Sequence, residues 1–189
     1  MSQILTDGPD GVLATQNTIY GLDGNDIIKT TQAAPNVYGG EGNDVLANQG
    51  DGLGDMFGGR GNDTIHGGTT TDRLYGDGGD DLLVGGEFDY ATASGAAGSI
   101  APYAGEASGA DVIYGDDGND AIYGLDGDDT IYGGGGNDTN VRRTFPGVVA
   151  GGTFTATTYN ILGGLYGGAG NDFIDGGEGA DWLDGGAGN

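Results

Sequence analysis

Between Gly115 and Asp138 the chain reads GDDGNDAIY, GLDGDDTIY and GGGGND, three units in one register. The same phase runs from Gly58 to Val84 as GGRGNDTIH, GGTTTDRLY and GDGGDDLLV. From Gly167 it reads GGAGNDFID, then GEGADWLD after Gly176, and finally GGAGN. Single units begin at Gly21 (GLDGNDIIK) and Gly39 (GGEGNDVLA). Unit starts at 58, 67 and 76, and at 115, 124 and 133, lie nine residues apart. All share the form G-G-x-G-x-D-x-U-x, with U a large aliphatic residue. A fixed short period marks a solenoid, in which each unit buries its apolar face only against its neighbours.

Each part of the unit has a physical reading. A loop that turns several carbonyls toward one ion needs backbone conformations that Gly reaches cheaply. Asp then adds a short carboxylate, and Ca²⁺ accepts about six to eight such oxygens. The segment Asp-x-U-x alternates as a strand, so U faces inward and its neighbours outward. The U column reads Ile28, Leu46, Ile65, Leu74, Leu83, Ile122, Ile131, Ile174 and Leu183.

Composition agrees. The 189 residues include 46 Gly and 4 Pro, and 29 Asp plus Glu stand against 5 Lys plus Arg, for a formal charge of −24. Only Glu41, Glu87, Glu106 and Glu178 are Glu; the remaining acids are Asp. A merely solubilising surface would use both acids, whereas Asp among Gly places short carboxylates in tight turns. Nucleic acid and anionic membranes repel such a chain, which excludes both as partners. No apolar run approaches membrane-spanning length. With no Cys, a metal is the staple left for so thin a core. Two aliphatic side chains per turn fall well short of offsetting the entropy of ordering eighteen residues. Adjacent carboxylates also repel, so the chain is expected to be disordered until metal neutralises them and binding energy becomes folding energy.

The repeats, with their interruptions, extend from Gly21 to Asn189 and resemble the RTX (repeat-in-toxin) family of calcium-binding β-roll proteins. The resemblance implies an all-β fold, a right-handed parallel β-roll in which two nonapeptides make one turn. Each half-turn is then a Gly-rich loop and a short strand, and Ca²⁺ ions sit between loops of successive turns. Carried onto this chain, the position-six carboxylates are Asp26, Asp44, Asp63, Asp72, Asp81, Asp120, Asp129, Asp138, Asp172 and Asp181. The candidate ligand set adds position one (Gly21, Gly39, Gly58, Gly76, Gly115, Gly124, Gly133, Gly167, Gly176). It also takes in position three (Asp23, Glu41, Arg60, Gly78, Asp117, Asp126, Gly135, Ala169, Glu178).

Rival motifs fail. An EF-hand loop needs a closing Glu, and none of the four Glu residues closes such a frame. Gly133–Gly136 lacks the strand-to-helix setting of a phosphate loop. An ice-binding variant of the family would need Thr in a regular array at position three, where only Thr69 occurs. No H-E-x-x-H occurs, and the single His66 sits at an outward strand position, so the chain is read as a non-enzyme.

We read 1–189 as one domain with two edge insertions, about 87–108 and 140–163. The second carries β-formers around Pro146-Gly147 and Gly151-Gly152, the pattern of a hairpin leaving the roll. Seven Tyr residues share position nine (Tyr20, Tyr38, Tyr75, Tyr114, Tyr123, Tyr132, Tyr166), an outward column whose rings stack along the roll or present an aromatic surface. Met1–Asp10 has neither a basic n-region nor an apolar h-region, so an extracellular destination is reached without a cleavable signal peptide. RTX proteins usually carry a non-repetitive secretion segment after the repeats, whereas this sequence stops within a repeat at Gly185–Asn189. Two readings stand. In one, protomers stack head to tail into a filament, with Ile4 of a following chain taking the missing U position; in the other, the sequence is a module cut from a larger toxin, protease, lipase or adhesin.

Overall fold

A unit of nine residues, Gly-rich loop then short strand, sends the chain across the molecule once, and two units return it to its starting side. The computed structural model describes residues 2–4, 11–14, 18–31, 36–48, 52, 54–86, 109–138, 142–145, 159–162 and 164–188. In chain order its strands are β1 (Ser2–Ile4), β2 (Gly11–Ala14), β3 (Thr18–Asp23), β4 (Ile27–Thr30), β5 (Asn36–Glu41), β6 (Val45–Asn48) and β7 (Asp55–Arg60). They continue with β8 (Thr64–His66), β9 (Arg73–Gly78), β10 (Leu82–Val84), β11 (Val112–Asp117), β12 (Ala121–Asp126) and β13 (Thr130–Gly136). The last are β14 (Arg142–Phe145), β15 (Tyr159–Leu162), β16 (Gly164–Ala169), β17 (Phe173–Asp175), β18 (Glu178–Gly179) and β19 (Leu183–Asp184).

Successive strands alternate between two parallel sheets. One has the order β1-β3-β5-β7-β9-β11-β13-β17, with β18 also on β13; the other runs β2-β4-β6-β8-β10-β12-β16-β19. This is the parallel β-roll expected from the repeat. The loops from the first sheet to the second make flank one, and those returning make flank two. The hairpin expected within 140–163 is present as the antiparallel pair β14–β15, with Arg143 opposite Ile161; its turn lies outside the described residues. Residues 87–108 also lie outside them.

Register places one inward side chain of each strand over the next. In the first sheet Ile19, Val37, Met56, Leu74, Ile113 and Ile131 stack in turn. In the second Ile28, Leu46, Ile65, Leu83, Ile122 and Leu165 do so. The two columns meet as one core whose members are at most 1 % exposed. The core thus includes Ile19, Val37, Met56, Ile113 and Leu165, which the repeat pattern alone does not mark. In β1, Gln3 aligns with Ile19 and Ile4 with Tyr20. Gln3, not Ile4, therefore stands in register with the U column, which corrects the position expected for Ile4.

The outer faces differ. On the first sheet Tyr20, Tyr38, Phe57, Tyr75, Tyr114 and Tyr132 stack with centroids 4.7–5.1 Å apart and planes within 10°. The single tyrosine column expected is in fact split: Tyr123 and Tyr166 stack on the second sheet at 4.6 Å. There the outward Thr64, His66, Leu82, Val84, Ala121 and Tyr123 are buried. His66 is outward as read, yet its burial pushes the imidazole pKa down to about 3 and keeps it neutral.

Candidate metal centres

The loop Gly39–Asp44 shows how the repeat builds a site. Position four, Gly42, has φ of +132°, and a Cβ there would collide with the carbonyl of Gly24 in the rung before. Only Gly gives that left-handed turn so close to a neighbouring backbone. The turn brings Asp44 back beneath Gly39, where a Cβ on Gly39 would stand closer than 3.0 Å to both Asp44 Oδ2 and the Gly58 carbonyl oxygen. The missing methyl is therefore a cradle in which a carboxylate oxygen and a carbonyl oxygen of the next rung converge. Gly58 faces Asp63 and Gly76 in the same way, and Gly76 faces Asp81 and Gly115. On flank two, Gly85 faces Asp111 and Gly124.

The carboxylates form two ladders. On flank one the backbone N–H of Asp26 donates to Asp44 Oδ1 at 2.8 Å, Asp44 to Asp63 at 2.8 Å and Asp63 to Asp81 at 2.7 Å. The ladder continues through Asp120, Asp138 and Asp181 at 2.9, 2.7 and 3.2 Å. On flank two it runs from Asp72 to Asp111, Asp129 and Asp172 at 2.7, 2.9 and 3.0 Å. The Asp72–Asp111 rung spans 39 residues of sequence, so the insertion between them leaves the register intact. Each Oδ1 is thus fixed by the backbone of the preceding rung, which aims the other oxygen into the cradle. Buried Oδ2 atoms of Asp44, Asp63, Asp72, Asp81, Asp111 and Asp172 have no hydrogen-bond partner.

Desolvation dominates the electrostatics of these groups. Burial, reinforced by neighbouring carboxylates, raises the carboxyl of Asp44 to about 6, Asp63 and Asp72 to about 7, Asp111 to about 9 and Asp81 to about 10. A hard divalent cation fits this arrangement. It supplies the charge that burial removes from water and uses the orphaned oxygens together with backbone carbonyls. Among the described residues no three acidic or imidazole side chains converge on one point.

Position three behaves differently. The side chains of Asp23, Glu41, Arg60, Asp117 and Glu178 are exposed in a separate row on flank one, and Ala169 is exposed on flank two. Arg60 pairs with Glu41 at 3.3 Å in the flank-one row. What position three brings to the loops is its carbonyl: those of Glu41, Arg60, Gly78, Asp117 and Gly135 each accept the position-four N–H of the preceding rung at 2.7–2.8 Å. The side chain of Asp126 lies outside the described residues.

Two features escape a reading limited to positions one, three and six of unbroken units. Asp111 belongs to the flank-two ladder; its unit is split by the insertion after Gly85-Gly86, and the signal for it is the resumed Asp111-Val-Ile-Tyr. Position five forms a second ladder of opposite sense: the N–H of Asn43 donates to Asn25 Oδ1 at 2.8 Å, Asn62 to Asn43 at 2.8 Å and Asn119 to Asp80 at 2.9 Å. The recurrence of Asn or Asp before the position-six Asp was its signal.

No curated protein and no solved structure matches the chain. Among the described residues no helix is long and apolar enough to cross a membrane. The model of the RTX calcium-binding nonapeptide repeat matches in four copies, at residues 14–46, 57–89, 107–139 and 165–189. These segments hold both carboxylate ladders and cover more than half of the chain, so the glycine cradles and the repeat profile agree: the protein belongs to the RTX calcium-binding nonapeptide repeat family and binds several Ca²⁺ ions along its roll.

Proposed function

We propose that the chain is a single extracellular structural domain that folds when Ca²⁺ enters the cradles, with the position-six carboxylates and the carbonyls around them as ligands. The observation that carries this reading is the set of buried Oδ2 atoms without a hydrogen-bond partner, those of Asp44, Asp63, Asp72, Asp81, Asp111 and Asp172. Buried carboxylates so placed are costly without a cation, and a cation turns that cost into folding free energy. Extracellular calcium modules work at Kd on the order of 10⁻⁴–10⁻³ M, a level suited to a chain that stays unfolded inside the cell and orders outside.

The finer part of the proposal is self-association. In the last rung Leu183 is 46 % exposed, against 0 % for Leu165 in the same column one rung earlier, and the outward Phe173 and Trp182 are 55 % and 36 % exposed. An open rung with unpaired strand edges and exposed apolar side chains favours covering by another rung. We assign that role to a second copy, stacked head to tail. The test is size-exclusion chromatography and negative-stain imaging of the full chain in EGTA and in millimolar Ca²⁺. A disordered monomer that becomes fibres one roll wide supports the whole reading. A folded monomer in Ca²⁺ keeps the calcium-dependent module and overturns self-association in favour of a module of a larger protein. Structure that forms equally well in EGTA overturns both.

A further inference from the structure

The two flanks are not equivalent. Flank one has Asp at position six in every rung from Asp26 to Asp181, whereas the flank-two ladder begins at Asp72. Above Asp72 the sixth position falls on Gly54, whose N–H donates to Asp72 Oδ1 at 2.7 Å. One rung earlier the sequence puts Pro35 there.

Position one departs in the same two units. Where later units of flank two have Gly67, Gly85 and Gly124, these have Thr30 and Asn48, at 0 % and 1 % exposure. The two departures are complementary. Gly at position one leaves the cradle open for a carboxylate oxygen; here a side chain stands at position one, and no carboxylate follows at position six. The Asn48 side chain brings a donor of its own, and it meets Asp72 on the oxygen that faces the preceding rung, leaving Oδ2 to the cradle of Gly67. Its Nδ2 donates to Asp72 Oδ1 at 3.4 Å and to the Gly52 carbonyl at 3.3 Å, one carboxylate oxygen and one backbone oxygen.

We propose that flank two of the first rungs is built to close without calcium, with the Asn48 amide donating to Asp72. Ions load on flank one alone over these rungs and on both flanks from Asp72 onward. The amide is neutral and covalently attached, so this contact draws on no ion.

Native mass spectrometry of the full chain at saturating Ca²⁺ counts bound ions directly. Asn48→Ala removes the donor and should leave the ion count of the wild type, with a lower melting temperature that added Ca²⁺ does not restore. Asn48→Asp replaces the donor with a carboxylate facing Asp72 and should add one ion to the count. An Asn48→Ala count one below wild type would make Asn48 a calcium ligand and overturn the proposal; so would an Asn48→Asp count equal to wild type. If Asn48→Asp does not fold, the Asn48→Ala count decides alone.

Discussion

The backbone N–H of Asp63 donates to Asp81 Oδ1 at 2.7 Å, while Oδ2 of Asp81 lies against Gly76 with no hydrogen-bond partner. One carboxylate thus does two jobs: one oxygen ties its rung to the rung before, and the other waits for charge. Asp81→Asn keeps a carbonyl for the Asp63 amide and removes the charge. With metal, the variant should need about tenfold or more Ca²⁺ to fold, the scale on which metal sites respond to loss of a supporting group. In EGTA the sign reverses, because a buried uncompensated carboxylate has been removed. Calcium-titrated circular dichroism of both proteins reads both effects; a variant folding at the wild-type Ca²⁺ concentration would contradict the assignment of Asp81.

Protons should replace calcium in part. The folded carboxyls of Asp44, Asp63 and Asp72 are raised to about 6, 7 and 7, above the ordinary 3.8, chiefly by burial. The metal-free roll therefore holds protons that the unfolded chain has released. Stability from this source is fully present below about pH 4 and is lost as pH rises through 6 to 7. In EGTA, β-structure should grow as pH falls from about 7.5 to about 5, measured at low concentration because the sequence pI is about 4.1. At pH 6, calcium binding should release protons, detectable with a weak buffer and an indicator. Loss of structure on acidification in EGTA would refute this.

Two glycines of flank one, at positions one and three, make a sharp contrast. A Cβ on Gly58 would meet Asp63 Oδ2 and the Gly76 carbonyl oxygen at less than 3.0 Å, whereas one on Gly135 meets only Asp117 Oδ1 at 3.6 Å. Gly58→Ala should abolish calcium-induced folding of its rung, since the methyl occupies the cradle. Gly135→Ala should change stability by no more than about 0.5 kcal/mol. Thermal melts in saturating Ca²⁺ separate the two; equal melting temperatures would show that the cradle is not where metal sits.

Much of the roll is legible in the sequence because the period fixes which residues share a column. Ile28, Leu46 and Ile65 are named by their place two residues after a loop Asp, and all three are core. Ile19, Val37 and Met56 are core by the same register, but their units lack the Gly and Asp lead-in that advertises the phase. For these strands, pairing with in-phase neighbours does the work that loop chemistry does elsewhere. Asp111 was hidden by distance along the chain, not by chemistry. The position-three side chains point to the opposite lesson. A carboxylate at a ligand position such as Glu41 or Asp117 contributes through its carbonyl while its side chain stays in solvent, and no sequence pattern distinguishes the two uses.

Position two tests backbone strain. It takes positive φ along the roll, and Gly40 and Gly59 adopt it at +119° and +109°, while Leu22 is forced to +79°. A left-handed non-Gly residue costs about 1–2 kcal/mol, and Leu22, 37 % exposed, recovers little of this through burial. Leu22→Gly should therefore raise stability in Ca²⁺ by up to about 1 kcal/mol after the greater freedom of Gly in the unfolded chain is counted. Leu125 shares the strain at φ +79° but is 6 % exposed and packs with Tyr123, so Leu125→Gly should gain nothing or lose. Chemical unfolding at fixed Ca²⁺ checks both signs.

The aromatic ladder yields the last prediction. Phe57, Tyr75 and Tyr114 stack at 4.7 and 5.1 Å with planes within 6° of each other, so each internal ring has both faces covered. Only ring edges reach solvent, and a sugar ring has no aromatic face on which to lie along the middle of the ladder. The ladder is therefore expected to act on stability rather than on carbohydrate. Tyr75→Ala breaks two stacked contacts, at about 0.5–1.5 kcal/mol each, whereas Tyr20→Ala removes one described contact, that with Tyr38 at 5.0 Å. Loss at Tyr75 should be roughly twice that at Tyr20, with a matching drop in the near-ultraviolet circular dichroism of coupled rings. Glycan-array binding that disappears in Tyr75→Ala while its melting temperature is unchanged would show that the rings serve a ligand instead.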